Sequence, residues 1–225
     1  DELSEGETED EKLFEDMYKF ITENDMSDEK NYKKACAMID MDNLADYAAA
    51  ELYIFNDDWP QNNYACWRTR TIEQGNSYAD GRWRFMLFDT ESSGDHYNEK
   101  YLNRNMFSYL KSKSETKLGG ILCSLIKNKG FSLKLTSAAC QYGSVNFTPE
   151  RFGEYLESYK DIYYGELDNY FRRFPTWANR KKATDPMLAR WQKFIDGRYE
   201  RVLTYLAGEF GLYDQRTVKI SVADS

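Results

Sequence analysis

The chain has 225 residues, 41% hydrophobic and 16% aromatic, which is enough apolar material for one sizeable core or for one lobe of a larger enzyme. No apolar run approaches the roughly 18 residues that a membrane span needs. The formal charge is −8, but residues 1–12 carry −6 of it through seven acidic residues and one lysine; the remainder is near neutral without a basic stripe, which argues against nucleic acid as a partner.

In chain order, DELSEGETEDEK over 1–12 reads as a solvated acidic tail or linker. Leu13, Phe14, Met17, Tyr18, Phe20 and Ile21 then recur at helical spacing. A second helix is predicted over 32–39. The stretch DMDNLADYAAAELYIFN predicts a third, with Asp42 or Asn43 as N-cap and a stripe of Leu44, Tyr47, Ala48, Leu52 and Phe55. Pro60 and the Asn/Asp cluster of NDDWPQNN end it.

Strand formers follow: Tyr64, Cys66 and Trp67, then Trp83, Phe85 and Leu87 after a Gly-containing polar stretch. They predict an antiparallel hairpin of two strands of about seven residues each, starting at Asn63 and ending at Asp89. Arg82 and Arg84 are expected on its exposed face, and Trp59, Trp67 and Trp83 in packing. The chain is then polar until about Met106. Helices are predicted over 118–127, with Gly119 and Gly120 at its start, and over 131–142. Another begins at Thr148, where a Thr N-cap, Pro149 and Glu150 stand in order, with a stripe of Phe152, Tyr155, Leu156, Tyr159 and Ile162. The last, over 186–210, carries Leu188, Trp191, Phe194, Ile195, Tyr199, Val202 and Leu206, and stops at Gly211. The tail RTVKISVAD is read as an edge strand. The basic residues Arg172, Arg173, Arg180, Lys181 and Lys182 read as a solvated helix end, with docking of an acidic segment as the alternative. The fold class is α+β, mostly helical.

One histidine, His96, excludes H-E-x-x-H, three-His metal and Ser-His-Asp chemistry. Cys36, Cys66, Cys123 and Cys140 form no C-x-x-C pair, so zinc is disfavoured; buried thiols are expected, with one or two disulfides as the alternative. Chemistry is left to carboxylates, amides and a hard cation. In an antiparallel pair the first residue of one strand faces the last of the other, so Asn63 and Asp89 are expected to be neighbours. Asp58 lies in the turn just before. Oxygen donors of this kind suit Mg²⁺. Asp58 to Asn63 also has the D-x-x-x-x-N spacing of a kinase catalytic loop, followed by a hairpin and a second acidic residue, as in kinases. Asp57 and Asn62 share that spacing, and Asx-type turn formation is the competing reading of the cluster.

NDDWPQNNYACWR followed by GRWRFMLFDTE resembles the central signature of the spore-coat protein H (CotH) kinase family. The helix leading into it, NFTPERFGEYLESYKDIYYGEL and WQKFIDGRYERVLTYLAGEFGL are similar to that family too, over roughly 28–211. The resemblance implies an atypical bacterial protein kinase using ATP and Mg²⁺ on protein hydroxyls, extracellular or at the cell surface, as in a spore coat. It implies Asp58 as the catalytic-loop aspartate, and Asn63 and Asp89 as the residues that hold the nucleotide's metal. Glu91 stands where the family often has a second Asp, and is expected as a further metal ligand. It implies that residues 13–225 form the C-terminal lobe and that a nucleotide-binding N-terminal lobe lies upstream. The alternatives are a non-catalytic surface or assembly module with a degenerate kinase fold, and a glycosidase with Asp58 and Asp89 as paired carboxylates.

Overall fold

The computed structural model describes residues 3–95, 99–174, 179 and 181–212. Helix α1, Thr8–Glu23, starts inside the acidic stretch that the sequence had suggested was a tail. Three acidic residues in its first turn suit the helix dipole, the Asp10 carboxylate accepts the Glu7 N–H at 3.0 Å, and Arg70 bridges Glu7 at 2.7 Å and also pairs with Asp10. Its inner face buries Phe14, Met17 and Ile21. Helix α2, Glu29–Met38, begins earlier than expected because the Asp28 side chain caps the N–H groups of Lys30 and Asn31.

Helix α3, Met41–Ile54, is the axis of the molecule. It is buried on nearly every side, and its alanines let α6, Lys129–Gln141, approach closely. Its N-cap is Asp40, not Asp42 or Asn43. Asn43 has a different task. Its amide accepts the Phe85 N–H at 2.7 Å and donates to the Phe85 carbonyl at 3.2 Å, standing in for a neighbouring strand. The segment before α3 pairs in the same way: Trp83 N–H donates to the Met38 carbonyl at 2.8 Å and Asp40 N–H to the Trp83 carbonyl at 3.0 Å.

The hairpin is therefore clipped to the start of α3, and it is shorter than predicted. Strands β1, Ala65–Trp67, and β2, Arg84–Met86, pair antiparallel with Ala65 opposite Met86, Cys66 opposite Phe85 and Trp67 opposite Arg84. Arg84 is not on an exposed face. It is 3% exposed, its guanidinium forks onto both oxygens of Asp80 at 2.9 Å, and it reaches Asp40 at 3.0 Å. That fork holds the Asp80 carboxyl well below the usual range. Trp59 and Trp83 are buried, and Trp67 is half-buried.

The remaining helices are α4, Met106–Lys111, α5, Lys117–Leu125, α7, Pro149–Arg173, and α8, Thr184–Phe210. The short α4, capped by Asn105, was not anticipated. A π turn, Tyr142–Asn146, links α6 to α7. Gly119 sits where a Cβ would meet the Lys113 carbonyl oxygen at 2.1 Å, so that turn of α5 requires a glycine. Thr148 caps α7 through the Arg151 N–H, as predicted, and Gly211 ends α8 with φ 66°. The stripe on α7 is not buried. Phe152 stacks on Trp191 of α8 at 5.8 Å, but Tyr155, Tyr159 and Ile162 face outward, with no other element among the described residues covering the helix there. On α8 the stripe packs as expected through Phe194, Ile195, Val202 and Leu206. The four cysteines are free thiols and half-buried, and burial pushes Cys66 up to about 12. Arg172 and Arg173 end α7, with Lys181 and Lys182 exposed beyond it. His96, Arg180 and the strand read into RTVKISVAD lie outside the described residues.

Candidate functional site

Helix α3 stops where Phe55 takes a left-handed turn at φ 53°. A bulky residue pays for that conformation, and it is held there by Tyr101 and Tyr109, whose rings lie 5.1 Å from its own. Arg198 of α8, fully buried, donates to the Leu52 and Tyr53 carbonyls at 2.7 Å each, closing the helix end. Burial lowers its guanidinium pKa to about 10. Phe55, Asn63 and Asp89 are the non-glycine residues at positive φ among the described residues, and all three border one site. Asn and Asp tolerate the left-handed region best.

The loop after α3 carries the acidic residues. Asp57 and Asp58 point in different directions. The Asp57 carboxylate takes the Tyr101 hydroxyl, and the Asp57 carbonyl accepts from Tyr109 at 2.5 Å and Gln61 at 3.0 Å. Asp57 is thus committed to the scaffold. The Asp58 carboxylate accepts from Asn62 at 2.8 Å and from Asn63 at 3.0 Å. The D-x-x-x-x-N pair in contact is therefore Asp58 with Asn63; the Asn62 amide goes to Asp58 and not to Asp57.

Asn63 also reaches the Asp89 carbonyl at 3.4 Å. The two residues do not begin and end the strands, because the left-handed turns at both positions break the ladder beyond Ala65 and Met86. They are neighbours all the same. The Asp89 carboxyl lies against Glu91, whose hydrogen bond and negative charge push its pKa upward, with some help from burial. Asp58, Asn63, Asp89 and Glu91 thus share one open edge beside the hairpin. Next to it, Met86, Leu87 and Phe88 run 45–53% exposed.

Two residues at this site escaped the sequence reading. Glu51, on the last turn of α3, is fully buried, and its Oε2 accepts the Asn56 amide at 3.0 Å. Asn56, 1% exposed, accepts the Asp58 N–H at 3.2 Å and donates to the Asp89 carbonyl at 3.4 Å. Burial pushes the Glu51 carboxyl up to about 7, against the pull of the Asn56 amide. A glutamate between an alanine run and Leu52, in the otherwise apolar second half of α3, was the available signal.

Does this edge suit a divalent cation? Among the described residues there is no group of three or more His, Cys, Asp and Glu arranged to hold a metal. The set is instead two adjacent carboxylates and an amide. Asn63 spends its Nδ2 on Asp58, which leaves Oδ1 as an oxygen donor. Two crowded carboxylates, with Asp89 pushed upward by its neighbour Glu91, and a carbonyl-type oxygen are hard donors that a cation of the Mg²⁺ class would relieve. The donor chemistry fits.

The family model for CotH kinase proteins matches residues 1–205. The chain belongs to the CotH kinase family. The match takes in α1 and most of α8, so the acidic N-terminal stretch lies within the CotH region and not outside it. No curated protein and no solved structure matches this CotH chain. Family membership implies kinase-type chemistry and, in general terms, ATP, Mg²⁺ and a protein substrate. No helix among the described residues is long and apolar enough to cross a membrane.

Proposed function

We propose that this chain is the C-terminal lobe of a CotH-type protein kinase that transfers phosphate from Mg-ATP to Ser or Thr hydroxyls of a protein. The observation that carries the reading is the Asp58–Asn63–Asp89 contact set, with D-x-x-x-x-N spacing and a hairpin between the pair and the second aspartate. Asp58 orients the acceptor hydroxyl and takes up its proton. The Asn62 and Asn63 amides hold that carboxylate in a single direction. Asn63, Asp89 and Glu91 hold the cation, which neutralises charge on the transferring phosphoryl group when bound.

Phosphoryl transfer depends mainly on positioning and charge. We assign the rest of the nucleotide clamp, including its lysine, to an N-terminal lobe upstream of this chain. The exposed Met86, Leu87 and Phe88 beside the site support that division. An extracellular or surface location, such as a spore coat, belongs to the same proposal. This chain alone is then expected to bind Mg-ATP only in the millimolar range, about 4 kcal/mol. Calorimetry and labelled-ATP transfer, run on this chain and on the protein extended upstream, test the reading. Transfer by the extended protein but not by this chain is expected. Tight binding with turnover by this chain alone overturns the division into lobes. Glu91 in place of Asp favours the rival reading, a non-catalytic assembly module; an extended protein that binds Mg-ATP and transfers nothing would select it.

A further inference from the structure

The buried pair behind the loop has no task in the chemistry described so far. Glu51 costs stability where it stands. It sits among Ala50, Leu52 and Tyr53 with no exposed surface, and its Oε1 has no hydrogen-bond partner among the described residues. A leucine would fill the same volume without that penalty. Its one side-chain partner among the described residues is the Asn56 amide, and the three contacts of Asn56 leave that amide a single orientation. The Asp58 N–H only donates, so it faces Oδ1; the Asp89 carbonyl only accepts, so it faces Nδ2, and Glu51 Oε2 accepts from that same Nδ2. With Glu51 gone, the amide is held only by the 3.2 Å Asp58 contact and the long 3.4 Å Asp89 contact, and it loses the shortest of its three bonds.

We infer that Glu51 and Asn56 are positioning residues: Asn56 ties the backbone at Asp58 to the backbone at Asp89, and Glu51 holds the Asn56 amide in the orientation that does so. The inference rests on the kinase reading for its consequence, because it sets the separation between the acceptor-orienting carboxylate and the metal-holding one. Two backbone bonds run alongside, Asp57 N–H to the Ser92 carbonyl at 3.1 Å and Gly94 N–H to the Ile54 carbonyl at 2.7 Å. Losing the clamp therefore loosens the site without unfolding it. Asn56 touches neither nucleotide nor acceptor in this scheme, so the loss falls on turnover rather than on nucleotide binding.

The test compares Glu51→Leu, Glu51→Gln and Asn56→Ser with wild type in the protein extended upstream. Glu51→Leu is expected to hold or raise Tm while kcat falls at least tenfold, with KM for ATP within about threefold. A residue that acted only through stability would move Tm and kcat together. Glu51→Gln keeps an acceptor oxygen and is expected to recover most of the loss. Asn56→Ser, too short to span the three partners, should behave like Glu51→Leu and serves if that variant does not fold. Folded Glu51→Leu with kcat within twofold of wild type, or Glu51→Gln as impaired as Glu51→Leu, overturns the inference. If wild type transfers no phosphate, the kinase reading fails by itself, and hydrogen exchange then decides the clamp. Faster exchange at the Asp58 amide in Glu51→Leu supports it, and unchanged exchange overturns it.

Discussion

Glu51 gives the sharpest test of the electrostatics, and it needs no assay of activity. The side chain has no exposed surface, and its carboxyl is moved from an ordinary value of 4.5 to about 7. At 1.36 kcal/mol per pH unit, that difference corresponds to about 3 kcal/mol. The sign follows from proton counting. Between the two values the folded protein holds a proton at Glu51 that the unfolded chain has released. Stability therefore falls as pH rises through that window, and the penalty is fully present above about pH 7. Below 4.5 both states are protonated and it vanishes. Glu51→Gln stays neutral at every pH and keeps an acceptor for Asn56. It should match wild type at pH 4 and exceed it by up to about 3 kcal/mol at pH 8, or about 6–12 °C in Tm for a chain of this size. Urea denaturation of both proteins at pH 4, 6 and 8 measures the difference directly, and other titrating groups cancel between them. A wild-type-to-variant difference constant within about 0.5 kcal/mol across that range would refute the reasoning: Glu51 would then be no more desolvated than a surface glutamate.

Other outcomes follow from the same geometry. Asp89→Asn in the extended protein should abolish Mg²⁺-dependent transfer without changing the circular dichroism spectrum, since the side chain is exposed and has no apolar role; unaltered metal affinity would falsify its assignment. Asp58→Asn should lower turnover far more than nucleotide affinity, and loss of ATP binding with turnover preserved would make Asp58 a metal ligand instead. Arg198→Ala should cost about 3 kcal/mol or more in denaturant unfolding, because it opens a cavity and strips two buried carbonyls at the end of α3; a loss under 1 kcal/mol would contradict that role. Gly119→Ala should destabilise by about 1–3 kcal/mol, since its Cβ would meet backbone and not a movable side chain, and a neutral result in thermal melts would show that the turn before α5 yields.

Much of this molecule is local, and the local part was readable. Thr148 with Pro149, the stripe on α8 and the Gly211 stop each involve residues a few positions apart, so spacing alone specifies them. The same holds for the spacing of Asp58 and Asn63. Their meeting with Asp89 needed only the pairing rule of a hairpin, and it survives although the strands are shorter than expected. What the sequence could not decide is which polar residues are buried and which apolar ones are left outside. Arg84 reads as a surface residue until Asp40 and Asp80 are brought to it. Arg198 lies 145 residues from the Tyr53 carbonyl it caps. Tyr155, Tyr159 and Ile162 have the spacing of a core stripe, yet no described element packs against that face of α7. Periodicity reports how residues are arranged around one element. Burial depends on what arrives from elsewhere in the chain: only the tertiary structure brings the Asp89 carbonyl to Asn56 and Arg198 to the Leu52 and Tyr53 carbonyls, and it closes the core over Glu51.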